Sequence, residues 1–270
     1  MKPLDHFDFT AQSYEKSTGG CARELAERII PLLNFTNDSV ILDSACGSGI
    51  VTDVLLQHLK NKTATKIFAT DGAPKMVELV QARFSDHHNV KATVMPGESL
   101  DFQDATFDHS ITSLGLMFFT DAVKGAAEIF RTLKVGGTAI VTGWEELGYI
   151  PIIRSLQQEI RPSDQPFNLP VSPKWFDPAH TEKILRAGGF EDIEMRSELV
   201  HWAAETDEEV ASLIVQMFGP FVFKDWNQAE KKRAEELLPG IVSQWTGHIE
   251  RHGKRYVGFK MKATVVLCRK

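Results

Sequence analysis

The chain has 270 residues, 43% of them apolar and 24% charged, with a formal net charge of −6; this is enough for one α/β domain with a sizeable core. The acidic balance offers no basic face for nucleic acid, no apolar run is long enough to span a bilayer, and the first ten residues, MKPLDHFDFT, carry no apolar signal core. Cys21, Cys46 and Cys268 are widely spaced with no CxxC pair, which points to a reducing, cytoplasmic setting and away from a disulfide framework or a structural zinc site.

Taken in chain order, residues 20–33 place Cys21, Leu25, Ile29, Leu32 and Leu33 on one helical face. Residues 39–43 form a short apolar strand, and 50–59 a helix with Val51, Val54, Leu55 and Leu59 on one side. A second strand, 66–70, ends at Asp71, and Pro74 opens the next helix at a position that tolerates it. Strands follow at about 90–95 and 108–114. The stripe Ala122, Val123, Ala126, Ile129, Phe130, Leu133 predicts a helix closing at Gly136-Gly137, and 138–142 a fifth strand. Residues 145–178 are rich in Pro, Trp and Phe and read as a lid or loop segment, 179–188 as a helix, and a sixth strand starts near Glu191. Residues 207–250 read as helices broken near Gly219-Pro220 and at Pro239, and the alternation Val257, Phe259, Met261, Ala263, Val265, Leu267 marks a last strand. Alternating strands and helices of this kind predict a largely parallel sheet covered on both faces. The expected layout is one domain over 1–270: N-terminal cap helices in 1–36, a core in 37–144, lid or acceptor segments in 145–178 and 207–250, and a final strand in 251–270.

The segment Val40-Ile41-Leu42-Asp43-Ser44-Ala45-Cys46-Gly47-Ser48-Gly49 joins the first core strand to a helix. Small residues let backbone approach a ligand closely, and ligands of open α/β sheets bind at the carboxyl ends of the strands. Asp71, 22 residues after Gly49, ends the next strand and is placed to accept hydrogen bonds from both ribose hydroxyls of a nucleoside. Two details separate the possible nucleotides. Thr52 stands where the third glycine of a dinucleotide fingerprint allows close packing. Asp43, at the mouth of the loop, would repel a pyrophosphate but suits S-adenosylmethionine (SAM), which carries a sulfonium and an amino group and no phosphate.

The run DSACGSG at 43–49 resembles the glycine-rich motif of class I SAM-dependent methyltransferases. Thr18 to Cys21, Ser113 to Phe119, Lys124 to Lys134, Gly136 to Ala139 and Trp144 to Pro151 are similar to small-molecule methyltransferases of fungal secondary metabolism, the resemblance covering about residues 10–195. It implies a Rossmann-like class I methyltransferase fold, a seven-stranded, mostly parallel sheet with helical lid additions, and conversion of SAM to S-adenosylhomocysteine (SAH). By position it implies that Gly47 and Gly49, with Ala45 beside them, pack against the cofactor. Asp71 would hold the ribose, Gly72 and Met76 would lie near the adenine, Ser113 and Leu114 would close over the cofactor, and Tyr14 and Thr18 would cap its methionine end. Where such families often place an acid toward the adenine amino group, this chain has Pro96, followed by Gly97, Glu98 and Ser99; Glu98 or backbone groups would take that contact.

Methyl transfer from a sulfonium needs chiefly an oriented, dry site, and a general base only for a protonated acceptor. No metal constellation is present in the sequence. His109, His201 and His248 are weak candidates for a base, and each reads more simply as a core or surface histidine. The aromatics Phe118, Phe119, Trp144, Tyr149, Trp175, Phe218, Phe221, Phe223, Trp226 and Trp245 supply material for a hydrophobic acceptor pocket. The expectation is therefore a SAM-dependent enzyme, monomeric or homodimeric, that methylates an O, N or S atom of a hydrophobic metabolite. A methyltransferase-like regulator acting through protein partners, and a SAM-binding enzyme that catalyses something else, are the alternatives.

Overall fold

A computed structural model of the chain describes residues 14–59 and 64–270. The strands are β1 (Val40–Ser44), β2 (Lys66–Asp71), β3 (Val90–Val94), β4 (Phe107–Ser113), β5 (Leu133–Leu147), β6 (Asp192–Ala204), β7 (Gly247–Arg251) and β8 (Lys254–Arg269). The helices are α1 (Tyr14–Ser17), α2 (Cys21–Ile29), α3 (Ile50–His58), α4 (Pro74–Arg83), α5 (Ala122–Thr132), α6 (Tyr149–Ile160), α7 (Pro178–Ala187), α8 (Asp207–Val222) and α9 (Gln228–Val242).

Seven strands follow the order β3-β2-β1-β4-β5-β8-β6, and β7 pairs with β8 outside that path. The first five are parallel, and β8 runs antiparallel to β5 and β6. The central strands are buried on both faces, which is why they read as apolar runs without alternation. Ile41, Ile111 and Ile140 enter the larger core cluster with α2, α3, α6, α8 and α9. Leu42, Ala139 and Val141 enter a second cluster with α5 and α7. The strand order reverses between β1 and β4, and that switch point opens a crevice at their carboxyl ends.

The structure corrects four expectations. The α5 helix ends at Thr132 and the chain passes directly into β5, which runs fifteen residues to Leu147; Gly136, at a positive φ of 80°, and Gly137 lie within that strand and pair with Lys270. Residues 145–178 are not one loop, since α6 buries the stripe Tyr149, Ile152, Ile153, Leu156, and Pro151 is harmless in its first turn. Pro220 and Pro239 lie inside the last turns of α8 and α9 and break neither helix. Finally, 247–251 is a strand and not helix: β7 and β8 form a hairpin turned by His252 and Gly253, both at positive φ (51° and 75°), so among the described residues β7 adds to the seven strands expected.

Candidate functional site

The loop from β1 to α3 is held in an unusual shape. Ala45, Gly47 and Gly49 all have positive φ (55°, 52° and 81°), a region costly for a residue with a side chain. Backbone bonds fix it: the Cys46 N–H donates to the Thr70 carbonyl and the Gly49 N–H to the Cys46 carbonyl, each at 2.9 Å. Asp71, at the end of β2, accepts from the Gly47 N–H (2.9 Å) on one oxygen and from the Ala73 N–H (2.8 Å) on the other. One carboxylate thus shapes both the glycine loop and the entry to α4.

Asp43 plays a different part from the one expected. Its side chain is buried beneath the loop and accepts a 2.7 Å hydrogen bond from the Thr52 hydroxyl. Thr52, which broke the dinucleotide pattern in the sequence, is therefore the partner of the buried acid. Burial pushes the Asp43 carboxyl from 3.8 up to about 7, against the pull of Thr52 and with a further push from Asp71. Burial also raises the neighbouring Cys46 thiol well above its ordinary value.

From the other side of the switch point, Leu114 follows β4 at φ 59°, its N–H donating to the Thr142 hydroxyl at 3.0 Å; the Ser113 and Thr142 hydroxyls lie 3.2 Å apart. A side-chain carbon on Gly115 would come 2.5 Å from that of Ala45, so the two loops abut. Glu98 accepts from the Thr120 and Asp121 N–H groups, and Gly97 leaves room for the Phe119 ring. These contacts tie the 96–99 turn to the segment that enters α5.

Together the loops enclose a cavity of about 770 Å³, within the range of small-molecule sites. Of the expected residues, Ala45, Gly47, Asp71, Gly72, Met76, Gly97, Glu98, Ser113 and Leu114 line it. Gly49 lies behind the wall, where a side-chain carbon would meet the Phe84 ring at 2.8 Å. Asp43 and Thr18 are buried outside the lining, and the side chain of Tyr14 falls outside the described residues. The aromatic set divides. Phe118, Phe119, Trp175 and Phe221 line the cavity, Tyr149, Phe218 and Trp226 are core, Trp144 and Phe223 pack against that core, and Trp245 faces solvent. Pro170, Val171 and Ser172, which no single pattern in the sequence marks, complete the far wall.

The three histidines lie elsewhere. His109 is buried in β4 with its ring edge-on to Phe35 at 5.0 Å, four residues before the cavity-lining Ser113. His201, in β6, binds Glu24 through both its backbone N–H (3.0 Å) and Nδ1 (3.1 Å). His248 is exposed in β7 opposite Val257. Among the described residues no group of three or more His, Cys, Asp or Glu side chains could hold a metal ion, and no helix is long and apolar enough to cross a membrane.

The residues fit SAM. A side-chain carbon at Gly47 would meet no protein atom within 4 Å, so its backbone stands open to a ligand. Asp71 and Glu98 give the lining a negative character suited to a cationic cofactor. Comparison with known proteins agrees. Residues 42–141 match the family model described as a methyltransferase domain. Methyltransferase ktnA of Aspergillus niger is 24% identical, over 92% of this chain and 90% of its own. Acetylaranotin bis-thiomethyltransferase of Aspergillus terreus is 24% identical, over 86% of this chain and 82% of its own. Among solved structures, a SAM-dependent methyltransferase of Thermotoga maritima, described as a possible histamine N-methyltransferase, superposes with a TM-score of 0.57 at 14% identity, covering 98% of this chain and 99% of that one. Fold, glycine loop and sequence kinship converge on a SAM-dependent methyltransferase: residues 42–141 match the methyltransferase domain, and the chain takes the class I fold of such enzymes.

Proposed function

We propose that the chain methylates an oxygen, nitrogen or sulfur atom of a neutral, hydrophobic small molecule of secondary metabolism. The observation that carries this reading is the two-part lining of a single cavity. One part is the glycine loop with Asp71, Gly72 and Met76; the other is apolar and aromatic, with Met117, Phe118, Val171, Trp175 and Phe221. Bound SAM would supply an electrophilic methyl group, and the protein's work is to hold the acceptor in line with it and keep water out. Gly47 and Asp71 would receive the cofactor, the Asp71 carboxylate having capacity for ribose hydroxyls beside the two backbone donors it already serves. Glu98 braces the segment that carries Phe118 and Phe119 into the apolar part. Asp71 and Glu98 also disfavour an anionic acceptor. The thiol-methylating relative supports sulfur as one attacked atom, and a thiol ionises near pH 8.5 with little help. The three cysteines are free and buried, consistent with work in the cytoplasm.

The test is product formation with labelled SAM against a panel of phenols, aryl amines, thiols and carboxylates of similar size. Label transfer to uncharged aromatic or thiol acceptors, with one SAH per methyl group, is expected. Product without SAH, or a preference for carboxylates, would contradict the reading.

A further inference from the structure

Helix α2 precedes the first core strand, yet it contributes Ala22 to the cavity lining beside Ala45–Val51. Two sets of contacts hold it there. Toward the cofactor loop, Arg23 pairs with Asp53 of α3 at 2.7 Å, and Asp53 pairs with Arg83 of α4 at 3.0 Å; Arg83 also reaches the Ser48 carbonyl of the loop at 3.4 Å. Toward the opposite edge of the sheet, the anchor is Arg251 of β7.

The Arg251 guanidinium is only 18% exposed and donates three ways: to the Gly19 carbonyl (3.2 Å), to Glu24 of α2 (3.1 Å) and to the His201 carbonyl of β6 (2.7 Å). Glu24 collects donors in turn from Arg28, from the His201 N–H and from His201 Nδ1. Burial works against the Glu24 carboxylate, but the Arg28 and His201 bonds outweigh it and hold its pKa below the ordinary value. The turn into α2 is shaped to this cluster. Gly19 and Gly20 both have positive φ (55° and 73°). A side-chain carbon on Gly19 would fall inside the Trp202 ring, and one on Gly20 would come 2.3 Å from an Arg251 nitrogen. The Gly19 carbonyl also accepts from the Ala203 N–H at 3.1 Å. The Gly19-Gly20 turn is thus seated between an indole and a guanidinium, and its position fixes the first turn of α2 and with it Ala22.

We propose that Arg251 is a positioning residue for the cofactor half of the cavity: through Gly19 and Glu24 it sets the start of α2 against the glycine loop. The inference rests on the SAM reading of that cavity. A planar guanidinium can serve three acceptors in fixed directions; an ammonium cannot reproduce the fork. Arg28 is the internal comparison, because it pairs with Glu24 and Glu198 but donates to neither the Gly19 nor the His201 carbonyl.

The experiment measures SAH affinity by calorimetry, KM for SAM and kcat at saturating SAM, with melting temperature alongside, in wild type, R251M, R251K and R28M. R251M is expected to raise the SAH Kd and the SAM KM by about tenfold, equivalent to ~1.4 kcal/mol, with kcat within about twofold of wild type. R251K should fall between wild type and R251M, and R28M should leave both constants unchanged while sharing any loss of stability from the ion pair. If R251M does not fold, the KM of R251K decides. SAM and SAH constants unchanged in R251K and R251M, or a kcat loss with KM unchanged, would overturn the proposal alone. Failure of the wild type to bind SAH would overturn the cofactor reading with it.

Discussion

A side-chain carbon at Gly47 would meet nothing within 4 Å, whereas at Gly49 it would press on Phe84 at 2.8 Å and Val80 at 3.1 Å. The two substitutions should therefore separate binding from folding. Gly47→Ala is expected to cost about 1–2 kcal/mol for its left-handed backbone and to weaken SAH binding sharply, because the new methyl enters the cavity. Gly49→Ala should carry the same backbone cost plus a clash, and so lower the melting temperature further. Equal effects of both on stability and on binding would contradict this division. Asp71→Asn should reduce SAH affinity by about 1.5–3 kcal/mol, the range for hydrogen bonds to a charged group, because it removes the charge that holds the loop and that, on the proposed reading, would hold the ribose. Asp43 gives a pH signature. Its carboxyl rises from 3.8 to about 7 on folding, so between those values the folded state keeps a proton that the unfolded chain releases. Its contribution to stability is full below the lower value and is lost as pH rises through the upper one. Asp43→Asn should accordingly raise the melting temperature relative to wild type more at pH 8 than at pH 5; a difference independent of pH would refute the buried-acid assignment.

At the scale of elements, legibility followed locality. The β1–α3 loop, Asp71 and Pro74 were readable because strand, turn and acid fall within about thirty residues of one another and each has a local conformational reason. The α6 helix was obscured by Pro151 and by the aromatic character of its surroundings, although Tyr149, Ile152, Ile153 and Leu156 sit at helical spacing. The β7 strand was hidden because its five residues alternate weakly and it exists only by pairing with β8. The Arg251 cluster was not readable at all, since its partners lie 50, 227 and 232 residues away. Glu98 was legible as a residue of the site, but its bonds to Thr120 and Asp121 depend on the fold. Replacing it with alanine is expected to speed amide exchange at residues 116–121 while leaving β4 protected; unchanged exchange there would mean the carboxylate does not brace the segment.

Across the whole molecule, the cavity is walled by parts remote in sequence: α2, the loops after β1, β2, β3 and β4, the 170–175 stretch and the end of α8. The expectation of a lid over 145–178 narrows accordingly, because α6 is packed in the core while residues 161–172 have no helix or strand and carry Pro170, Val171 and Ser172 into the lining. Limited proteolysis should cut first within this stretch among the described residues, and more slowly once SAH and an acceptor are present; equal rates would leave the wall indifferent to its ligands. The measurement that bears most directly on the account is a calorimetric titration of the wild-type protein and Asp71→Asn with SAH. One site per chain with saturable heat, and an affinity clearly weaker in Asp71→Asn, is the predicted result. No detectable binding by the wild type, or equal affinity in the two proteins, would contradict the placement of the cofactor in this cavity.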